Sequence, residues 1–165
     1  MSQDDTMNSK NKDFLTVSIA DQRFGIPVLQ VQDVLREQKV TKIPLAPPEV
    51  SGSLNLRGRI VTAINVRKKL NLPRNSDDTS TSMSVVVEHE DELFSLVIDS
   101  VGDVLSLDHD LFEKNPSTLD PAWRDISTGI YQLDNELLVI MDVSKLLENV
   151  GGSALGGQNK KQSIM

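Results

Sequence analysis

The sequence contains no cysteine, which excludes a disulfide framework and a Cys-based zinc site. Aromatic residues are scarce: one Trp, one Tyr and four Phe in 165 residues. Leu, Ile, Val and Phe together number 51, so the chain can build a core that is mostly aliphatic, and it is far from a disordered composition. No apolar run approaches bilayer-spanning length. The polar start, Met1 to Lys10, has no apolar h-region, so no secretory signal and a cytoplasmic location are expected. Phosphate-cradling patterns are missing as well: there is no G-x-G-x-x-G and no G-x-x-x-x-G-K-[ST]. Basic residues are outnumbered, giving a net charge of −7 and a pI near 4.8. Such a chain repels phosphate backbones, so no nucleic-acid partner is expected. A local basic group remains, Arg57, Arg59, Arg67, Lys68 and Lys69. It reads as a solvated rim or as a patch for an acidic partner.

What is present is an internal repeat. Residues 17–35 align without a gap on residues 87–105, with Val17/Val87, Asp21/Asp91, Phe24/Phe94, Val31/Val101, Asp33/Asp103, Val34/Val104 and Leu35/Leu105 identical. Residues 60–70 align in turn on residues 137–147, so the second copy carries a longer insertion. Two copies are too few for a solenoid and indicate a duplicated β-rich unit of two packed lobes. What repeats is apolar pattern, which indicates a scaffold more than a reaction centre.

Residues 1–12 lack periodicity and read as a disordered tail, and the Gly-rich residues 149–165 as a flexible one. Residues 13–148 form the folded unit, with a low-complexity connector at about 71–83. Alternation through Phe14–Ile19 and Phe24–Val28 predicts a hairpin turning at Asp21-Gln22, repeated at Glu90–Glu92. Pro27 marks a strand end or edge. Residues 28–35 are expected to form a short turn or helix, followed by a strand running into Lys42-Ile43-Pro44. Gly58 suits a tight turn or bulge. Ile60 to Ile64 is apolar on both faces, as in a doubly buried strand. Asn65 and Asp142 are both good N-caps for the short helical runs that follow them. The insertion from Asp108 to Asp125 is expected to be an ordered loop pinned by Trp123. Which strands belong to which lobe is left open, and the first hairpin can pack with the second lobe.

Catalytic chemistry has little to draw on. His89 and His109 have no further ligands at metal spacing and no nucleophile context. Asp33, Asp99 and Asp103 offer carboxylates for acid–base work or for a small-ligand site, but a structural or partner-facing role suits a repeated position better. No cofactor and no metal are expected.

Ser51 to Arg67 resembles the signature of CheW-like domains, approximately G-x-x-N-L-R-G-x-x-x-P-x-x-D-x-R, with Gly52, Asn55, Leu56, Arg57, Gly58 and Arg67 matching. Val31-Gln32-Asp33-Val34 resembles the family's V-Q-E-[IV] segment, and Ile98 to Leu105 its V-D-x-V-x-[ED]-V-L segment. Gly129-Ile130 and Leu137 to Leu147 resemble its closing strand and short helix. The resemblance implies an all-β fold of two SH3-like five-stranded β-barrel lobes with a few short helices. It also implies a non-catalytic adaptor that couples methyl-accepting chemoreceptors to the histidine kinase CheA. One lobe would pair with the kinase's own CheW-like regulatory domain, and a groove between lobes would take the cytoplasmic signalling tip of the receptor. The adaptor would be recruited to membrane-associated arrays without inserting in the membrane.

By position, Val31, Asp33, Gly52 and Arg57 are the residues the resemblance places at the receptor groove. Val31 would seat an apolar side chain or belong to the core. Arg57 would pair with a receptor carboxylate, pair with Asp33, or brace the Gly58 turn. Gly52 would answer a turn requirement beside them. Val40, Ile43 and Leu45, near the first proline-rich loop, are the candidates for kinase contact. Thr62 and Asn65 depart from the usual Pro and Asp. Asn caps a helix as well as Asp, but a partner that reads the charge would differ. A CheW-like adaptor of a non-flagellar pathway, serving surface motility or development, is the alternative reading.

Overall fold

The structure, a computed structural model, describes residues 11–36, 38–72 and 83–148. The expected tails, apart from Asn11 and Lys12, and nearly all of the connector lie outside these residues. The chain forms β1 (Asn11–Ile19), β2 (Gln22–Pro27), β3 (Val31–Arg36), β4 (Val50–Leu56), β5 (Arg59–Asn65), α1 (Val66–Lys69), β6 (Met83–His89), β7 (Glu92–Ile98), β8 (Ser100–Asp108), α2 (Pro121–Arg124), β9 (Ser127–Gln132), β10 (Leu137–Met141) and α3 (Val143–Leu147). Single 3₁₀ turns occupy Val28–Gln30 and His109–Leu111.

The strands make two five-stranded sheets, ordered β8-β1-β2-β10-β9 and β3-β6-β7-β5-β4. Replacing each strand by its repeat equivalent turns one order into the other, so the duplication in sequence is a duplication in topology. The halves are interleaved: the hairpin β1–β2 lies in the sheet that holds β8, β9 and β10, and β6–β7 lies among β3, β4 and β5. The exchange is sealed by parallel pairings, β2 with β10 and β5 with β7.

Side-chain alternation then places two kinds of core on the same strands. Leu15, Val17, Ile19, Phe24, Ile26, Val139 and Met141 from the first sheet meet Ile64, Val85, Val87, Phe94, Leu96 and Ile98 from the second in one buried cluster between the sheets. The alternate residues fill each sheet's own interior: Phe14, Tyr131, Leu138 and Ile140 in the first, Val61, Val86 and Leu93 in the second. This is why Val85, Val86 and Val87 can all be buried in succession.

The sheets do not close into continuous barrels. Instead an isolated bridge spans the open side of each: Thr41 with Ser53 in the second sheet, Glu113 with Ile130 in the first. Each bridge is a reciprocal pair of backbone hydrogen bonds of 2.8–2.9 Å. Each also presses its segment against a glycine. A Cβ on Gly52 would strike the Thr41 carbonyl, and a Cβ on Gly129 would strike the Phe112 ring and the Glu113 carbonyl. These two glycines are repeat equivalents, and both fall in segments matched by resemblance.

The two expected hairpins form, the first turning at Ala20-Asp21, one residue before the expected Asp21-Gln22, because Gln22 already pairs with Ile19. Ala20-Asp21, Arg57-Gly58 and Glu90-Asp91 each carry two consecutive positive φ values, the requirement of a type I′ turn. Asn65 Oδ1 accepts from Lys68 N at 3.1 Å and Asp142 Oδ1 from Lys145 N at 3.2 Å, so both caps are made.

Four further expectations need correction. β1 begins at Asn11, not Asp13, because Asn11 and Lys12 pair with Asp108 and Leu107. The strand after the 3₁₀ turn is Val31–Arg36, paired along β6; among the described residues from there through Pro44 only Thr41 makes a bridge. Ile60 is 68% exposed, since it sits at the free end of β5 beyond the reach of the core. The 108–125 insertion is more than a loop: it holds a 3₁₀ turn, the Glu113 bridge and α2, whose Trp123 meets Phe24 edge-on at 5.0 Å.

Gly129→Ala is expected to lower stability by about 1–3 kcal/mol through overpacking at the bridge. Urea unfolding followed by Trp123 fluorescence measures this directly; an unchanged midpoint would show that the bridge yields at no cost.

Candidate partner-binding site

Three of the four residues expected at the receptor groove are gathered by the fold. The sequence Asn55-Leu-Arg57-Gly58 explains itself locally. Asn55 Oδ1 accepts from Gly58 N at 2.9 Å, which ties the β4–β5 turn, and Gly58 adopts φ 85 without a Cβ to object. Arg57 is forced to φ 53, a conformation unusual for a branched-free but bulky side chain, and from there its guanidinium reaches across the sheet's open side. It meets Asp33 on the opposite edge strand, Nη2 to Oδ2 3.1 Å.

Gln32, Val34 and Arg36 of β3 are exposed, and Asp33 and Leu35 alternate with them, Leu35 packing into the second sheet's interior; a bulge between Val31 and Asp33 breaks the register, and Val31 packs instead against the core between the sheets. Asp33 Oδ1 accepts from Val34 N at 2.8 Å. Oδ2 is out of reach of water and makes no hydrogen bond among the described residues, so the charge of Arg57 is what offsets its burial. Arg57 itself is 78% exposed at its side chain and keeps donors free for another carboxylate.

Val31 packs against the core between the sheets yet stays half-buried, as does its repeat equivalent Val101. Val31 thus has core packing on one side and surface on the other. Gly52 is buried on β4 beneath the Thr41 bridge and presents no surface of its own. Of the residues considered for the kinase, Leu45 is fully exposed with a positive φ, Ile43 is exposed, and Val40 is half-buried against the Gly52 backbone.

The carboxylates considered for catalysis do not converge. Asp103 is exposed on β8. Asp99 is a structural rivet that the sequence reading did not pair. Its carboxylate accepts from Arg67 in a two-pronged contact, Nε to Oδ1 2.8 Å and Nη2 to Oδ2 2.6 Å, and from Ala20 N at 2.9 Å. Arg67 stands on α1, capped by Asn65 below the second sheet, whereas Ala20 belongs to the β1–β2 turn of the first. The Arg67 guanidinium, hydrogen-bonded to it, holds the Asp99 carboxyl below its usual range against the opposing pull of burial, and Ala20 N–H adds to the effect. The signal for this pair was present in the sequence, since both residues fall in the matched motifs. Among the described residues no group of three or more His, Asp or Glu could hold a metal. No helix there is long and apolar enough to cross a membrane.

A family profile described as "CheW-like domain" matches residues 13–151. The chain is similar to the "Chemotaxis protein CheW" of Klebsiella aerogenes, 30% identical over 138 residues, covering 84% of this chain and 82% of that one. It is similar to the protein of the same name from Bacillus subtilis, 29% identical over 128 residues, covering 76% and 80%. Among solved structures it resembles the "scaffolding protein TtCheW from Thermoanaerobacter tengcongensis" with a TM-score of 0.73 and 27% identity, covering 83% of this chain and 92% of that chain.

The Asp99 carboxylate titrates below its unfolded value near 3.8, so its stabilisation is complete above that pH and is lost as pH falls through the lower folded value. Asp99→Asn is accordingly expected to be less stable than the parent at neutral pH, with the gap narrowing below about pH 4; unfolding midpoints across pH 2–7 test it. The Asp33–Arg57 pair behaves differently. A double-mutant cycle to alanine should give a coupling under about 1 kcal/mol, because the arginine is solvated.

Proposed function

The chain belongs to the CheW-like domain family and is a scaffold rather than an enzyme, and from this we propose that it couples methyl-accepting chemoreceptors to the histidine kinase CheA. The observation that carries the reading is the Val31–Asp33–Arg57 surface, where a half-buried valine adjoins an ion pair that faces solvent. Val31 offers an apolar seat for a side chain from the helical tip of the receptor. Arg57 offers unused donors to a receptor carboxylate, while Asp33 holds its guanidinium in place. Gly52 contributes by letting the Thr41 segment close behind this surface.

The kinase side, in this reading, is the loop after β3, where Ile43 and Leu45 are exposed and Val40 is half-buried. Exposed aliphatic residues on a loop fit a partner that is itself a CheW-like domain. Such a chain works in the cytoplasm and reaches membrane-associated arrays through its partners.

Co-sedimentation with receptor signalling fragments and kinase tests the reading. The chain is expected in the pellet when both partners are present, and Arg57→Ala, folded by its urea midpoint, should enter several-fold less. A wild-type chain that stays in the supernatant with both partners present would sink the coupling function. Full entry of the folded variant would remove only Arg57 from the contact.

A further inference from the structure

Leu29 is 96% exposed, at the centre of the 3₁₀ turn Val28–Gln30 that leads into β3. Single exposed apolar residues are common and need no reason. Leu29 does not stand alone. Val28 before it and Val31 after it are half-buried against the core between the sheets, and Val34 on β3 is exposed. Strand pairing brings in one more residue. β3 begins where β6 ends, β7 begins there too, and β5 runs parallel to β7. Leu29, the Arg57-Gly58 turn and the exposed Ile60 therefore border the same end of the second sheet.

The repeat shows what Leu29 does not do. Its equivalent in the second copy is Asp99, and the equivalents of Ala20 and Arg67 are Glu90 and Ser144. Asp99 fastens the two sheets by accepting from Ala20 N and from the Arg67 guanidinium. At the matching junction a leucine side chain has no acceptor to offer and Ser144 carries no charge, so no such contact can form there. Leu29 thus neither fastens the sheets nor fills the core. A side chain this exposed gains nothing from burial when the chain folds.

We propose that Leu29 is a specificity-determining contact for the receptor's helical tip, seated among aliphatic side chains of one helix. This assignment rests on the coupling function proposed above and deepens it, by naming the chemistry of the receptor face at this end of the Val31–Asp33–Arg57 surface. A helix that docks by an apolar face presents side chains at i, i+3, i+4 and i+7, which span about 10 Å. Leu29 lies four residues from Asp33, the partner of Arg57, at most about 14 Å along the chain. One helix face can therefore meet Leu29 with an aliphatic side chain and Arg57 with a carboxylate about two turns away. Ile43 and Leu45, the residues given to the kinase, follow the other end of β3 and do not compete for this contact.

Leu29→Ser and Leu29→Met in the full chain test the assignment. Entry into pellets of receptor signalling fragments without kinase is measured apart from capture on immobilised kinase without receptor. Leu29→Ser is expected to enter the receptor pellet about five- to ten-fold less than the parent, having lost a seated apolar side chain. Leu29→Met should recover most of that entry, because an unbranched apolar side chain still fills the seat. Kinase capture and the urea midpoint should not move in either variant. Full entry of Leu29→Ser, an equal loss on the kinase, a lowered midpoint, or Leu29→Met as weak as Leu29→Ser would each overturn the assignment. A parent chain that enters no receptor pellet would fail the coupling function itself, and this assignment with it; a parent that enters as well as Leu29→Ser does would fail the assignment alone.

Discussion

Apolar burial on both faces of the same strands is the constraint from which the rest of the structure follows. Strands such as β6 and β10 send alternate residues to a sheet interior and to the shared core, so neither sheet can be moved without opening both. A strand buried on both sides is expensive to place at an edge, and the edges fall to β3, β4, β8 and β9. Of these, β3 and β8 are alternately exposed. The residues proposed to face partners therefore lie on an edge strand and on the turns and loops beside it, because the central strands have no free face to offer.

Polar contacts serve that arrangement in two distinct ways. The Asp99–Arg67–Ala20 contact joins the two sheets where solvent is partly excluded, and it is well formed on every side. The Asp33–Arg57 contact spans one sheet's open side with an exposed arginine and a carboxylate oxygen that has little else. The first is suited to fixing geometry. The second is suited to being read by another molecule, since water already competes for its arginine and a docking carboxylate can take the same donors.

Much of this was legible in the sequence, and the reasons differ by element. The repeat announced two equivalent sheets, the alternation in 14–28 and 85–98 located the hairpins, and Asn65 and Asp142 named their own helices. Those are local signals, carried by neighbours in the chain. The end of β3 was not legible, because an edge strand stops where its partner stops and β6 lies some fifty residues away. The interleaving of the hairpins was foreseen only as an option, since no residue pattern states which sheet a hairpin joins. Asp99 was singled out for its carboxylate and fell, like Arg67, in a matched segment; that the two pair became visible once α1 and the β1–β2 turn were brought to the same place. Gly129 was matched by resemblance, but the reason for a glycine there was not legible, because it depends on Phe112 and Glu113 crossing behind it.

The interleaved hairpins also bear on how the chain is made. During synthesis β1 and β2 leave the ribosome first, but the strands they pair with, β8 and β10, come about a hundred residues later. Such long-range pairing closes slowly. Through most of translation the hairpin must wait with Val17, Ile19, Phe24 and Ile26 unprotected, so a nascent chain of this design is a natural client for chaperones until its final strand emerges.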